Sequence, residues 1–114
     1  MKKEARIKKD TNNCPVEMTL RLIGSKWKVL IIRELLADTR RFGELSRGIN
    51  GISQKMLTQQ LRQMEKDRLV NRKVYAQVPP KVEYSLTKKG RSLETVIEAM
   101  RQWGAHYSSN ECIP

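Results

Sequence analysis

The amino-acid sequence predicts a mainly α-helical domain carrying one small β-hairpin. Three observations lead there. Apolar residues recur at spacings of three and four through most of the chain, apolar and polar residues alternate from Lys81 to Leu86, and the breakers Gly24, Asn50-Gly51 and Pro79-Pro80 separate these segments. A length of 114 residues suits one domain and leaves no room for a separate catalytic unit.

Residues 1–13 are polar and hold five Lys or Arg, so they are expected to form a flexible basic arm. Residues 14–108 are expected to form the folded domain, and 109–114 a loose tail. Pro15 suits the first turn of a helix, where a missing N–H costs nothing, and Val16, Leu20 and Ile23 then share a face up to Gly24. In the next segment Trp27, Leu30, Ile31 and Leu35 make one stripe and Val29, Ile32 and Leu36 a second, which marks a core helix. Phe42, Leu45 and Ile49 belong to a short helix that stops at Asn50-Gly51, a pair tolerant of positive φ.

Ser53 can cap a helix running to about Lys66, with Leu57, Leu61 and Met64 on its buried stripe. Leu69 to Val78 and Lys81 to Leu86 read as the two strands of a hairpin turned at Pro79-Pro80. Thr87 is expected to cap one long final helix in which Gly90 is a weak point. Along it Leu93, Val96, Ile97, Met100, Trp103, Gly104 and Tyr107 follow at spacings of three or four.

A short helix, a tight turn, a second helix and then a hairpin form the order of a winged helix-turn-helix. On the second helix, the face opposite the buried stripe carries Ser53, Gln54, Lys55, Thr58, Gln59 and Arg62, side chains able to address base edges and phosphates. No acidic residue joins that face before Glu65. The net charge of +11, from 23 Lys plus Arg against 12 Asp plus Glu, favours a polyanionic partner, and double-stranded DNA leads. Arg72, Lys73, Gln77 and Lys81 on the hairpin are placed to follow the phosphate backbone into a minor groove.

Other classes fit less well. His106 is the sole histidine, no Ser, His and Asp set or Gly-rich phosphate loop is present, and Glu34, Glu44 and Glu65 suit surface roles, which argues against an enzyme. Cys14 and Cys112 show no CxxC spacing, so no metal site and no cofactor are expected. With no long apolar run and no signal-like start, a cytoplasmic protein with no membrane partner is expected. An RNA reader would add exposed stacking aromatics, whereas Trp27, Phe42, Tyr75, Tyr84, Trp103 and Tyr107 mostly fall on apolar stripes or strands.

Five motifs in order carry a family resemblance. Cys14-Pro15-Val16-Glu17, Ile23-Gly24-Ser25-Lys26-Trp27, Arg41-Phe42-Gly43-Glu44-Leu45, Ile52-Ser53-Gln54-Lys55-Met56-Leu57-Thr58 and Pro79-Pro80-Lys81-Val82-Glu83-Tyr84-Ser85-Leu86-Thr87 resemble the HxlR family of bacterial regulators. The resemblance runs from Cys14 to about Trp103. It implies a MarR-like homodimer joined by the first and last helices, in which Leu20, Ile97, Met100, Trp103 and Tyr107 face the partner and the Ser53 helix reads the major groove. The expected function is regulation of transcription at an inverted-repeat operator, with a repressor favoured over an activator.

Several members of this family resemble redox or electrophile switches that use a cysteine at the Cys-Pro motif, while others have the motif without established sensing, which makes Cys14 a candidate sensor with Cys112 as its second cysteine. A helix N-terminus beside Lys8 and Lys9 favours a thiolate at Cys14. The competing reading is a buried apolar Cys14 and an idle Cys112. A small effector is the other route to switching, and the residues name no ligand for it.

Overall fold

The computed structural model describes residues 14–108, so the arm, the tail and Cys112 lie outside the described residues. The elements run α1 (Pro15–Ile23), α2 (Lys26–Ala37), β1 (Arg40–Arg41), α3 (Phe42–Gly48), α4 (Gln54–Lys66), β2 (Val70–Tyr75), β3 (Lys81–Leu86), α5 (Lys88–Arg91) and α6 (Glu94–Tyr107). The helices start as the sequence leads one to expect. Pro15 opens α1, the Ser25 hydroxyl accepts from Lys28 N at 3.2 Å to cap α2, and Ser53 accepts from Met56 N at 3.0 Å to cap α4. Arg41 N donates to Glu44 Oε1 at 2.8 Å, so the first turn of α3 is held by its own acid.

α2 runs through the middle of the protein. Its Ile31, Ile32 and Leu35 meet Leu45 from α3, Leu57, Leu61 and Met64 from α4, and Leu69, Val70, Tyr84 and Leu86 from the hairpin in one buried cluster. No buried polar or charged residue interrupts that cluster among the described residues. Burial of these side chains, each contributing about 1.5–3 kcal/mol, orients α4 and the hairpin against a common support.

Three expectations need correction. The wing is a three-stranded antiparallel sheet ordered β1-β3-β2, because Arg40 pairs with Tyr84 and Arg41 with Glu83. Two arginines in a two-residue strand carry no apolar alternation, so pattern reading has nothing to detect there. The first hairpin strand ends at Tyr75 and not at Val78, since β2 stays in register with β3 only from Val70↔Leu86 to Tyr75↔Lys81. Ala76 to Pro80 form the tip.

The final helix is also two helices. Thr87 does cap, accepting from Gly90 N at 2.9 Å, but α5 stops at Arg91 and α6 begins at Glu94. Thr87 simultaneously donates to Arg68 O at 2.6 Å and its N–H reaches Leu69 O at 3.0 Å, which ties α5 to the α4–β2 turn. Gly90 is buried with its Cα against the Leu69 carbonyl, where any Cβ would collide. The residue read as a helix weakness is therefore a close-packing requirement.

Candidate nucleic-acid interface

The turn between α3 and α4 fixes the geometry of the site. Gly51 adopts φ +85, the left-handed conformation that the Asn50-Gly51 pair permits, and Ile49 and Ile52 on either side are buried in the core. Anchored on both flanks, the turn sets where α4 begins and leaves Gln54 and Lys55 of its first turn exposed while Leu57 enters the cluster.

α4 divides sharply by face. Leu57, Leu61 and Met64 are buried, while Gln54, Lys55, Gln59 and Arg62 are exposed and Thr58 is half-buried beside them. Among the described residues Gln54, Lys55, Gln59 and Arg62 make no side-chain hydrogen bond or salt bridge. The polar side chains on the adjoining face do have partners: Gln60 Nε2 donates to Met56 Sδ at 3.3 Å, and Gln63 Nε2 donates to Asp67 at 3.3 Å. Ser53 has its oxygen engaged in the cap and keeps its O–H proton for an external acceptor.

The wing is braced before it meets anything. Tyr75 Oη donates to Glu83 Oε1 at 2.9 Å, and Lys81 Nζ lies 3.3 Å from Glu83 Oε2. The Tyr75 hydrogen bond, opposed in part by burial and helped by the charges of Lys81 and Arg41, holds the Glu83 carboxyl below the usual carboxylate range. The ammonium groups of Lys73 and Lys81 stand 5.0 and 4.9 Å from the Tyr75 ring centroid, on the strand pair that also carries Arg72. Arg72 and Gln77 are exposed; Lys81 is half-buried within this brace.

Sequence reading overlooked two cations near α4. Arg41 at the start of α3 and Arg47 in its last turn are both exposed, and neither guanidinium forms a salt bridge among the described residues, although Arg41 is near enough to its sheet partner Glu83 to help hold that carboxyl low. Neighbouring Arg40 is different: its Nε sits 4.0 Å from Glu34 Oε1 and donates to Glu34 O at 3.4 Å. The consecutive Arg40-Arg41 pair was the available signal, and only the contact with Glu34 on α2 shows which of the two is engaged there.

The residues assigned to a partner subunit fall into two groups. Met100, Trp103 and Tyr107 lie with Val96 on one stripe of α6 and are exposed, Trp103 at 67% and Tyr107 at 66%. The Trp103 and Tyr107 rings lie with centroids 4.8 Å apart, tilted by 39°. Leu20 is exposed on α1 together with Val16. Ile97 departs from this group, because at 7% exposure it closes the protomer's own core. Cys14 is half-buried at the N-cap of α1, its carbonyl accepting from Met18 N at 2.8 Å.

A short helix, a tight turn, an exposed polar helix and a braced three-stranded wing together define a winged helix-turn-helix regulator of transcription. The chain belongs to the HxlR-like helix-turn-helix family, whose model matches residues 22–112. It is 51% identical over 98 residues to the uncharacterised HTH-type transcriptional regulator YdeP of Bacillus subtilis, covering 86% of this chain and 77% of that protein. Among solved structures it resembles the redox regulator HypR in its oxidised form, with 50% identity, a TM-score of 0.76, and coverage of 82% of this chain and 96% of that one. The reduced form of the transcriptional regulator YodB from B. subtilis is 38% identical with a TM-score of 0.74, over 83% of this chain and 94% of that chain. The family's members are DNA-binding regulators and not enzymes, and this chain is one of them. No helix among the described residues is long and apolar enough to cross a membrane.

Proposed function

We propose that the protein is a homodimeric repressor that binds an inverted-repeat operator, reading bases with α4 and gripping flanking phosphates with the wing. The observation that carries this reading is the exposed, unpartnered stripe Gln54, Lys55, Gln59 and Arg62 on a helix anchored to the core by Leu57, Leu61 and Met64. Gln offers a donor and an acceptor to adenine, Arg offers paired donors to guanine, and Lys55 and Ser53 suit phosphate oxygens. Arg72, Lys73, Gln77 and Lys81 would follow the backbone into the next minor groove, and Arg41 and Arg47 would hold the phosphates beside α3.

The exposed stripe Val96, Met100, Trp103 and Tyr107, with Val16 and Leu20 on α1, supplies the dimer face. An apolar stripe this long on one helix is costly to leave in water, and a second copy covers it symmetrically. Cys14 is the candidate thiol switch of such a dimer, supported by its position at the start of α1 and by the similarity to a redox regulator. Cys112 is its candidate partner thiol.

Selection of random duplex DNA by the purified protein, with titration of the winning site at two salt concentrations and with or without diamide, tests this function. The expected result is an enriched inverted repeat with half-sites about one helical turn apart. Its affinity should exceed that for random DNA by about 10³-fold or more and fall when Cys14 is oxidised. Absence of any enriched sequence, with binding that tracks salt alone, would remove the repressor reading.

A further inference from the structure

The wing ends in a tip unlike its strands. Residues Ala76 to Pro80 carry no charge, although 31% of the chain is Asp, Glu, Lys or Arg, so attraction to phosphates cannot be what the tip is built for. Val78 at its centre is 99% exposed, more than any other large apolar side chain among the described residues. One exposed valine is ordinary by itself, and its setting is not.

The setting is a ribbon with cations on both faces. Side chains alternate along the register Arg72↔Tyr84, Lys73↔Glu83 and Tyr75↔Lys81, so Arg72 lies on one face and Lys73 and Lys81 lie on the other. The brace of Tyr75, Lys81 and Glu83 closes on the last paired rung, Tyr75↔Lys81, and the tip projects from that fixed base. This layout suits a minor groove, which has phosphates along both walls and sugar C–H groups and base edges inside.

The groove is about 6 Å wide and paired strands alone stand about 4.8 Å apart, so only compact side chains can enter it. Ala76, Val78, Pro79 and Pro80 are compact, and Gln77 is the one long side chain at the tip. Gln77 does not discriminate between base pairs, since its amide can donate to adenine N3 or thymine O2 and can accept from the guanine amine. Val78 and the prolines have no side-chain donor or acceptor, and the prolines have no N–H. The guanine 2-amino group is the one substituent that projects from the floor of the groove, and an apolar side chain seated there both obstructs it and strips its water.

We infer that Val78, backed by Pro79 and Pro80, is a specificity-determining residue that admits A·T pairs and rejects G·C pairs in the minor groove beside each half-site. This rests on the reading of the wing as a minor-groove element given above, and it adds base selection to a part otherwise assigned to phosphates. The two grooves are then read by different means, hydrogen bonds from α4 in the major groove and apolar fit from the wing in the minor.

The test exchanges bases that differ in the 2-amino group alone. Diaminopurine in place of adenine adds that group and inosine in place of guanine removes it, while both keep the major-groove donors and acceptors that face α4. Single diaminopurines are placed in turn along the duplex enriched by selection and along its flanks, and the full chain is titrated against each. Affinity is expected to fall about tenfold, or about 1.4 kcal/mol, at a pair or two beside each half-site. Val78→Ala should shrink that penalty to about threefold or less and leave the salt dependence unchanged, because no charge is removed and the exposed side chain supports no packing. Arg72→Ala should do the reverse, flattening the salt dependence and keeping the penalty.

No penalty at any position would overturn the inference. So would a penalty that Val78→Ala leaves unchanged, which would assign the effect to the altered stiffness of the modified duplex. If selection enriches no duplex, the repressor reading falls and the tip is decided on polymers that differ in the minor groove alone. Poly(dI-dC) bound roughly threefold or more tighter than poly(dG-dC), with Val78→Ala equalising the two, would uphold it, and equal binding by the unaltered chain would overturn it.

Discussion

α4 and α6 are both helices with one face packed on the core and one face left without a partner in the protomer, and the two open faces differ in kind. That of α4 is polar and cationic, with Gln54, Lys55, Gln59 and Arg62 held apart from any carboxylate. That of α6 is apolar and aromatic, with Val96, Met100, Trp103 and Tyr107 at spacings of three and four. Water tolerates the first face readily and the second poorly. A charged open face therefore points to an intermittent polyanionic partner, and an apolar one to a partner that stays.

The strongest way to break that contrast is to cut the apolar face. Trp103→Ala is expected to weaken self-association by about 2–4 kcal/mol in sedimentation equilibrium while leaving the monomer folded by circular dichroism, because a hot-spot aromatic acts at the interface and this one is exposed in the protomer. An unchanged dimer with an unfolding loss would mean that α6 only closes its own core. Loss of the dimer should also lower operator affinity, since both half-sites must be held together.

The polar face is sharpened by comparing its two types of contact. Gln54→Ala or Gln59→Ala is expected to reduce affinity for the selected site by about 1–3 kcal/mol and to relax base preference, with random DNA nearly unaffected. Arg72→Ala on the wing should weaken selected and random duplexes alike and flatten the dependence of log K on log salt by about 1. Equal losses on all sequences for the glutamines would make α4 a phosphate contact and no reader.

The smallest expected effect separates the wing from both helices. The Glu83 carboxyl is held low by Tyr75 and Lys81, so its contribution to wing order is present above the ordinary glutamate range and lost as pH falls through its depressed folded value. Glu83→Gln should abolish that acid-side loss, read as protection of β2 and β3 amides from hydrogen exchange between about pH 3 and 5. The α4 amides should show no such difference between the two proteins.

Some of this was written locally. Ser53 as a cap, Leu57, Leu61 and Met64 as one buried stripe, and Asn50-Gly51 as the tight turn all follow from short-range rules, and α4 begins where those rules place it. The hairpin was legible from the alternation of Lys81 to Leu86 and the prolines beside it. The candidate DNA-facing side chains were legible too, because a helix with one apolar stripe leaves the remaining positions to solvent or to a partner.

The rest needed three dimensions. Leu93, Val96, Ile97, Met100, Trp103 and Tyr107 form one continuous set of apolar spacings, and only the docking of α6 on α2 decides that Ile97 turns inward while its neighbours stay outside. The seating of α5 rests on Gly90 packing against the Leu69 carbonyl, a contact between residues 21 positions apart that no local pattern encodes. The pairing of Arg40 and Arg41 with β3 arises in the same way. By itself the sequence determined which segments are helices, where they begin and which sides are apolar, since these depend on neighbours a few residues away. The tertiary structure decided which apolar sides are covered within one chain, because burial depends on what the rest of the fold brings against them.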